Sequence, residues 1–432
     1  MSLSLSSLVE LSWQGQLDLI REYHPVERRF PAAEELSDRI LWFKGTASAT
    51  TVDTGDGLVM LDTGGRRDSR SLYSEIRGWS KDPVAFAVFS HHHLDHIFGV
   101  GPFEEEAAEK GNPAPIVYGH ELLAKNFNRY RRTPGLQKAI NSRQFASVRR
   151  PSHFDWPEEY RYPDTTYSEQ LVLRQGDLTF ELNHARGETD DHTWTWVPEL
   201  AIIHPGDLFI WAVPNAGNPQ KVQRYPGEWS SALRHMASKD AETLLPGHGL
   251  PIFGRERVLE ALSVTADLLE FLEDSTVLLM NKGCTLDAIL QQIEVPKHFG
   301  EKPYLKTVYD HPQFIIRNVW RLYGGWYEGE PDRLLPAPRR LEAVEWVSLA
   351  GGPGDVADRI EHLIDTQDFR LACHLVEALI LAEPASSACH ELRARVYRAR
   401  AKIETSSMAR NILLHAAQSS ETGVRDLAHQ EA

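Results

Sequence analysis

The segment His91-His92-His93-Leu94-Asp95-His96 places four residues of metal-binding type at the spacing HxHxDH, directly after the apolar run Val84 to Phe89. Alternate residues at the end of an extended strand project to one side, so His91 and His93 share a direction, and the turn that follows brings Asp95 and His96 to a neighbouring point. One short loop then offers ligands to two ions. A solvated polar loop would account for a single such histidine; three histidines and an aspartate at this spacing behind an apolar strand point to a metal centre. Asp207, after AIIHPG, and His248, in LLPGHG, each stand just past another short apolar run. Gly-Asp and Gly-His pairs are ordinary turn chemistry when isolated. It is their order behind HxHxDH that makes the set specific.

The elements that must position these residues are legible as alternations and runs. Arg39 to Gly64 reads as a strand meander with a Gly-Asp-Gly turn, Ser69 to Trp79 as a helix, and Val84 to Phe89 as a buried strand. Gly99 to about Pro163 is polar, rich in aromatics and reads as an inserted helical or looped excursion. Strand signals return at LVLRQ, LTFELNHA, TWTWVP and LAIIHPGDLF, followed by a helix from Trp229 to Ala237. After Pro251 the pattern is amphipathic and helical, with breaks near HFGEKPYLK and across GEPDRLLPAPRR, and it is helical again from about Gly354. The expected division is 1–255, an α/β catalytic part with an insertion at about 100–163, and 256–432, an all-helical part.

Composition limits what the site can serve. The 432 residues carry a net charge of −15, which argues against nucleic-acid or anionic-membrane partners, since those call for clustered Lys and Arg. Three cysteines, Cys284, Cys373 and Cys389, lack any CxxC spacing and indicate neither a disulfide framework nor a thiolate metal site. No apolar run approaches the roughly 18 residues of a membrane span, and the first residues lack a leader pattern. The expectation is a cytoplasmic enzyme acting on a small molecule.

With Gly206-Asp207 and Pro246 to Gly249, the HHHLDH segment resembles the successive metal motifs of the metallo-beta-lactamase superfamily. That resemblance implies an αββα sandwich with the metals at one edge of two sheets. Where the family usually has a histidine in a GHTxGH-like segment, this chain reads Gly187-Glu188-Thr189-Asp190-Asp191-His192. An acidic residue there resembles the class III alkyl sulfatases, with His184 or His192 as the alternative nitrogen donor. Asn318 to Pro336, NVWRLYGGWYEGEPDRLLP, is similar to the hallmark segment of the alkyl sulfatase dimerisation domain, and DFRLACHLVEALILAEP and SSMARNILLHAAQ are similar to the helices after it. This chain departs from the family in having Gly206-Asp207 where Glu-Asn is common and Arg317 where a His is common, and the sterol-carrier-like C-terminal domain of the family is not expected in it.

The resemblance implies one metal held by His91, His93 and Glu188, a second by Asp95, His96 and His248, and Asp207 bridging them, with Asp95 and Asp207 as the catalytic carboxylates. Two zinc ions suit imidazole and carboxylate donors, and manganese or iron is compatible. Asp62, His184 and His192 are expected to support the ligands from behind. Three carboxylates and a hydroxide neutralise two dications, so an anionic substrate needs cations or donors from the walls. Asn215, Asn218, Lys221, Arg224, Arg317 and Tyr118 are the candidates. The leading expectation is hydrolysis of a sulfate ester of an alkyl or small alcohol by a homodimer. The alternatives are hydrolysis of a lactone, thioester or carboxylic ester. More distant are a di-iron oxidoreductase, whose family members use a glutamate where this chain has His93, and a non-catalytic scaffold built on tetratricopeptide-like helices.

Overall fold

The computed structural model describes residues 3–28, 33–146 and 156–428. Thirteen strands among them form two sheets. The first runs in spatial order β1 (Ala33–Ser37), β2 (Ile40–Lys44), β3 (Ser48–Asp53), β4 (Leu58–Leu61), β5 (Val84–Val88), β6 (Ile116–His120) and β7 (Thr165–Tyr167). Its first four strands pair antiparallel as a meander and its last four pair parallel. The second sheet contains β8 (Gln170–Gln175), β9 (Leu178–Ala185), β10 (His192–Val197), β11 (Ile202–His204), β12 (Thr243–Leu244) and β13 (Ile252–Phe253), adjacent in that order.

The period-2 alternation of buried side chains explains why two sheets stack with helices outside. On β4, Val59 and Leu61 face the interior shared with Phe180, Leu182 and Trp194 of the second sheet, while Leu58 and Met60 face the other way. The outward residues are covered by α2 (Ser69–Trp79), α3 (Gly101–Lys110) and α4 (Leu122–Arg132) through Leu72, Ile76, Phe103, Leu123 and Phe127. After α1 (Leu5–Trp13) and α5 (Pro134–Gln144), the next helices in the chain, α6 (Pro226–Ala237) and α7 (Arg255–Asn281), supply Trp229, Leu233, Met236, Leu262 and Leu269 to the core that includes the second sheet. This is the αββα sandwich expected from the motifs. The helical patterns after Pro251 also form as read, with α7 continuous for 27 residues.

One expectation needs correcting. The stretch after Gly99 is not wholly an excursion, because Ile116–His120 is β6, paired parallel with both β5 and β7. Its five residues are too few to show a period against the polar text around them.

The described chain falls into two compact units, Met1–Arg132 with Glu158–Gly325, and Thr133–Pro157 with Trp326–Ala432. The first holds both sheets and, among its helices, α8 (Leu286–Gln292), α9 (Lys297–Glu301) and α10 (Pro312–Tyr323). The second is helical: α5, α11 (Arg339–Leu349), α12 (Pro353–Asp365), α13 (Phe369–Ala382), α14 (Ser387–Ile403) and α15 (Ser407–Glu421). Its own core is built from Val347, Ile360, Leu363, Val376, Leu379 and Val396. Asn411 of α15 donates to the Gln144 carbonyl at 2.7 Å, and Arg143 meets Asp426 at 2.7 Å, so α5 is tied to the C-terminal helix. No described helix is long and apolar enough to cross a membrane.

Candidate metal centre

Strand ends of both sheets deliver the site. His91 to His96 follow β5, Glu188 lies in the turn between β9 and β10, Asp207 follows β11 and His248 follows β12. Ligand-type atoms of His91, His93, Glu188 and Asp207 lie within 4.8 Å of one another, and those of Asp95, His96 and His248 do likewise. Asp207 faces both groups: its carboxylate is 3.4 Å from Nε2 of His96, 3.4 Å from Nε2 of His248 and 3.9 Å from Nε2 of His91.

Hydrogen bonds from behind decide which ring nitrogen each histidine turns inward. Asp62, immediately after β4, accepts from Ser90 N at 2.7 Å and Ser90 Oγ at 2.8 Å and pairs with His96 Nδ1 at 2.7 Å. Because the Ser90 hydroxyl donates to Asp62, it accepts from His91 Nδ1, 2.9 Å away. His248 Nδ1 lies 3.1 Å from the Thr46 carbonyl. In all three rings Nε2 is left facing the cluster, which is how metal-binding imidazoles are commonly oriented. Asp62 takes a left-handed φ of 56° to do this. For a residue that is not glycine, such a conformation costs on the order of 1–3 kcal/mol and is kept only where the surroundings demand it.

The electrostatics separate two kinds of histidine. Burial, with the neighbouring histidines, holds His91 and His93 well below the usual imidazole range, so both are neutral with lone pairs available. Burial also opposes charge on His96 and His248. There the carboxylates win: Asp207, Asp62 and Asp95 hold His96 well above the usual value, and Asp207 and Asp95 hold His248 at about 9. Glu188 is pushed well above the usual carboxyl range by burial and by the charge of Asp207.

Among the described residues, His96 Nε2, Glu188 Oε2 and Asp207 Oδ1 are buried without a hydrogen-bond partner. Three such atoms pointing into one cluster are costly as they stand. Divalent cations would satisfy them together, and imidazole mixed with carboxylate is a donor set suited to such ions.

The remaining sequence candidates divide. Asn215 donates from Nδ2 to Oε1 of Glu188, and Arg224 donates to the Glu188 carbonyl and lies 3.5 Å from Oε1, so both hold Glu188 in place. Lys221 is half-buried on the same loop, and burial with the nearby Arg224 brings its amine down to about 7. Asn218 is buried and caps its own loop at Gln220 N, 3.0 Å away. Tyr118 stands edge-on to Phe86 in the core, at 5.4 Å between ring centres, and Arg317 is exposed on α10. His192 stacks on His91 at 4.5 Å with Nε2 toward the Pro205 carbonyl. His184 lies against His120, its ring 3.8 Å away and nearly parallel.

His92 and Asp191 are functional residues without a motif of their own in the sequence. His92 Nδ1 is 2.9 Å from Asp191, while Arg129 of α4 donates to its Nε2 at 3.0 Å, anchoring the histidine loop to the Glu188 turn. Ser90, which links Asp62 to His91, is likewise an unmarked serine in the sequence. No local signal pairs residues so far apart in the chain, although a third histidine inside HHH and an Asp-Asp pair beside Glu188 mark where to look.

Residues 43–248 match the family model of the metallo-beta-lactamase superfamily, and residues 285–423 match that of alkyl sulfatase dimerisation. The chain is 26% identical over 364 residues to a linear primary-alkylsulfatase of a Pseudomonas species, covering 80% of this chain and 69% of that protein. It is 24% identical over 373 residues to an (R)-specific secondary-alkylsulfatase of Pseudomonas, covering 81% of this chain and 56% of the relative. The solved structure of the stereoselective inverting sec-alkylsulfatase Pisa1 from Pseudomonas superposes with a TM-score of 0.81 at 21% identity, over 91% of this chain and 66% of that one.

Proposed function

Because the chain belongs to the metallo-beta-lactamase superfamily and carries the alkyl sulfatase dimerisation region, we propose that it is a divalent-metal-dependent hydrolase of sulfate esters of alkyl or small alcohols. The observation that carries this reading is the pair of adjoining ligand clusters with Asp207 between them. His91, His93 and Glu188 would hold one ion, Asp95, His96 and His248 the other, with Asp207 shared. Zinc is the expected metal, with manganese or iron compatible. Ions held there supply Lewis-acid polarisation of the ester and activation of water.

The protein's own groups do the rest. Ser90, Asp62 and the Thr46 carbonyl fix the imidazole orientations, and Asn215 and Arg224 hold the Glu188 carboxyl. Asp95 and Asp207, whose carboxylates each lie 3.4 Å from His248 Nε2, are the proposed acceptors of the proton from the reacting water. Lys221 is the wall cation for the anionic group. Asn215 and Arg224 serve an anionic substrate only indirectly, through the carboxyl they hold.

A homodimer through the helical unit accords with the matched region and with the apolar surface that Leu335, Trp346 and Leu349 leave uncovered there, at 97%, 61% and 77% exposure. Incubating zinc-loaded protein with a primary alkyl sulfate, a secondary alkyl sulfate, a lactone, a thioester and a carboxylic ester tests the substrate class. Sulfate release is the expected result. Turnover of only the lactone, thioester or carboxylic ester would keep the metal centre and reject the sulfatase reading.

A further inference from the structure

The loop that holds Glu188 is itself held by the chain around α10. Val213 N donates to the Lys306 carbonyl at 3.0 Å. Gly217 N donates to Oδ2 of Asp310 at 2.7 Å, and its backbone lies so close to α10 that a Cβ there would stand 2.2 Å from Ile315 N. At the far end of the loop, Asn318 accepts from Arg224 N at 3.3 Å and donates to the Arg224 carbonyl at 3.0 Å. This is the two-point pairing of neighbouring strands, supplied by one side-chain amide. Gln223 and Arg321 donate to the same Asn318 oxygen at 3.0 and 3.1 Å, fixing which way the amide faces. Asp310 and Asn318 are buried polar side chains: Asp310 accepts from the backbone N–H of Gly217 and of His311, and Asn318 bonds both backbone groups of Arg224.

We infer that Asp310 and Asn318 are positioning residues of the metal centre, fixing the backbone at Gly217 and Arg224 so that Asn215 and Arg224 stay against Glu188. The inference rests on the metal reading above and adds the remote side chains that set the geometry of one ion's carboxylate. Neither residue touches the reacting atoms. Both lie in the first compact unit and within the stretch matched to the dimerisation family, so part of that stretch serves the metal site. A purely structural role would lower thermal stability and leave ion affinity alone. A positioning role weakens most the ion that Glu188 holds, because Asn215 and Arg224 reach Glu188 itself, whereas the loop meets the other cluster through Trp211 N on the His248 carbonyl at 3.3 Å, at the loop's other end from Arg224.

The test counts zinc retained by the full chain during titration with a competing chelator, alongside thermal melting. Asn318→Ala is expected to hold one of its two ions roughly 10- to 100-fold more weakly, the usual effect of removing a group behind a ligand, with the second ion unchanged. Asp310→Asn, which keeps the side-chain shape but places a donor against one of two backbone N–H groups, is expected to do the same and reports independently should Asn318→Ala fold poorly. If Asn318 acts through Arg224, the double variant Asn318→Ala with Arg224→Met binds zinc no more weakly than Arg224→Met alone. Unchanged affinity for both ions in both brace variants, or effects of Asn318→Ala and Arg224→Met that simply add, would overturn the inference. An unaltered chain that takes up no zinc would overturn the metal reading itself, an outcome distinct from failure of the brace.

Discussion

Lys221 shows how a single residue's environment sets a measurable property. Its amine sits in a half-buried position beside Arg224, and the loss of water around it together with that like charge brings it to about 7, against an ordinary lysine value above 10. The direction matters: a lowered amine value means the charge is present below about pH 7 and lost above it. An anionic ester should therefore bind best on the acid side, and KM should rise as pH passes upward through about 7 while kcat follows other groups. In Lys221→Met, KM for an alkyl sulfate is expected to be high and flat across that range, and the measurement is a KM profile from pH 6 to 9 in both proteins. A profile unchanged by the substitution would remove Lys221 from the wall. Glu188 is the second residue whose surroundings define it, since the Asn215 amide donates to its carboxylate and the Arg224 guanidinium lies 3.5 Å from the same oxygen.

At the scale of elements, the centre depends on close backbone approach between turns. Gly247, in the turn after β12, lies so near Asp207 that a Cβ would stand 2.1 Å from Oδ1. Gly247→Ala must displace the shared carboxylate, and displacement of a reacting-site group by around an ångström costs about 100-fold in rate. A fall of at least that size in kcat/KM, with the far-UV circular dichroism unchanged, is the expected result; near-normal turnover would mean the turn can give way. Much of this arrangement is legible in the chain. HxHxDH, the Gly-Asp and the Gly-His each follow apolar runs, and the structure puts all of those ligand-type residues, with Glu188, in two adjoining clusters. What was not legible is non-local. β6 has five residues inside a polar stretch, so its place in the sheet comes from pairing with β5 and β7. The His92–Asp191 and Asn318–Arg224 bonds join positions far apart in the chain, and neither residue type at those positions announces a partner. Tyr118 read as a site residue for the same reason: a tyrosine near the end of a strand looks alike whether it faces the core or a cleft.

For the whole molecule, the division of labour between the two compact units sets the expectations. The sheet-bearing unit holds every ligand-type residue of the candidate centre, and the helical unit carries an uncovered apolar surface. Trp346→Glu combined with Leu349→Glu places charges on α11, which opposes burial of that face against a second copy. The unaltered chain is expected to run as a dimer in light scattering and the double variant as a monomer with an intact helical signal. A dimer that survives both charges would place the interface elsewhere. The proposed hydrolysis depends on the two clusters being two metal sites. Anomalous diffraction at the zinc edge, from crystals grown with zinc, tests that most directly. Two peaks are expected, one among His91, His93 and Glu188 and one among Asp95, His96 and His248, with Asp207 reaching both. A single peak, or peaks away from these residues, would contradict it.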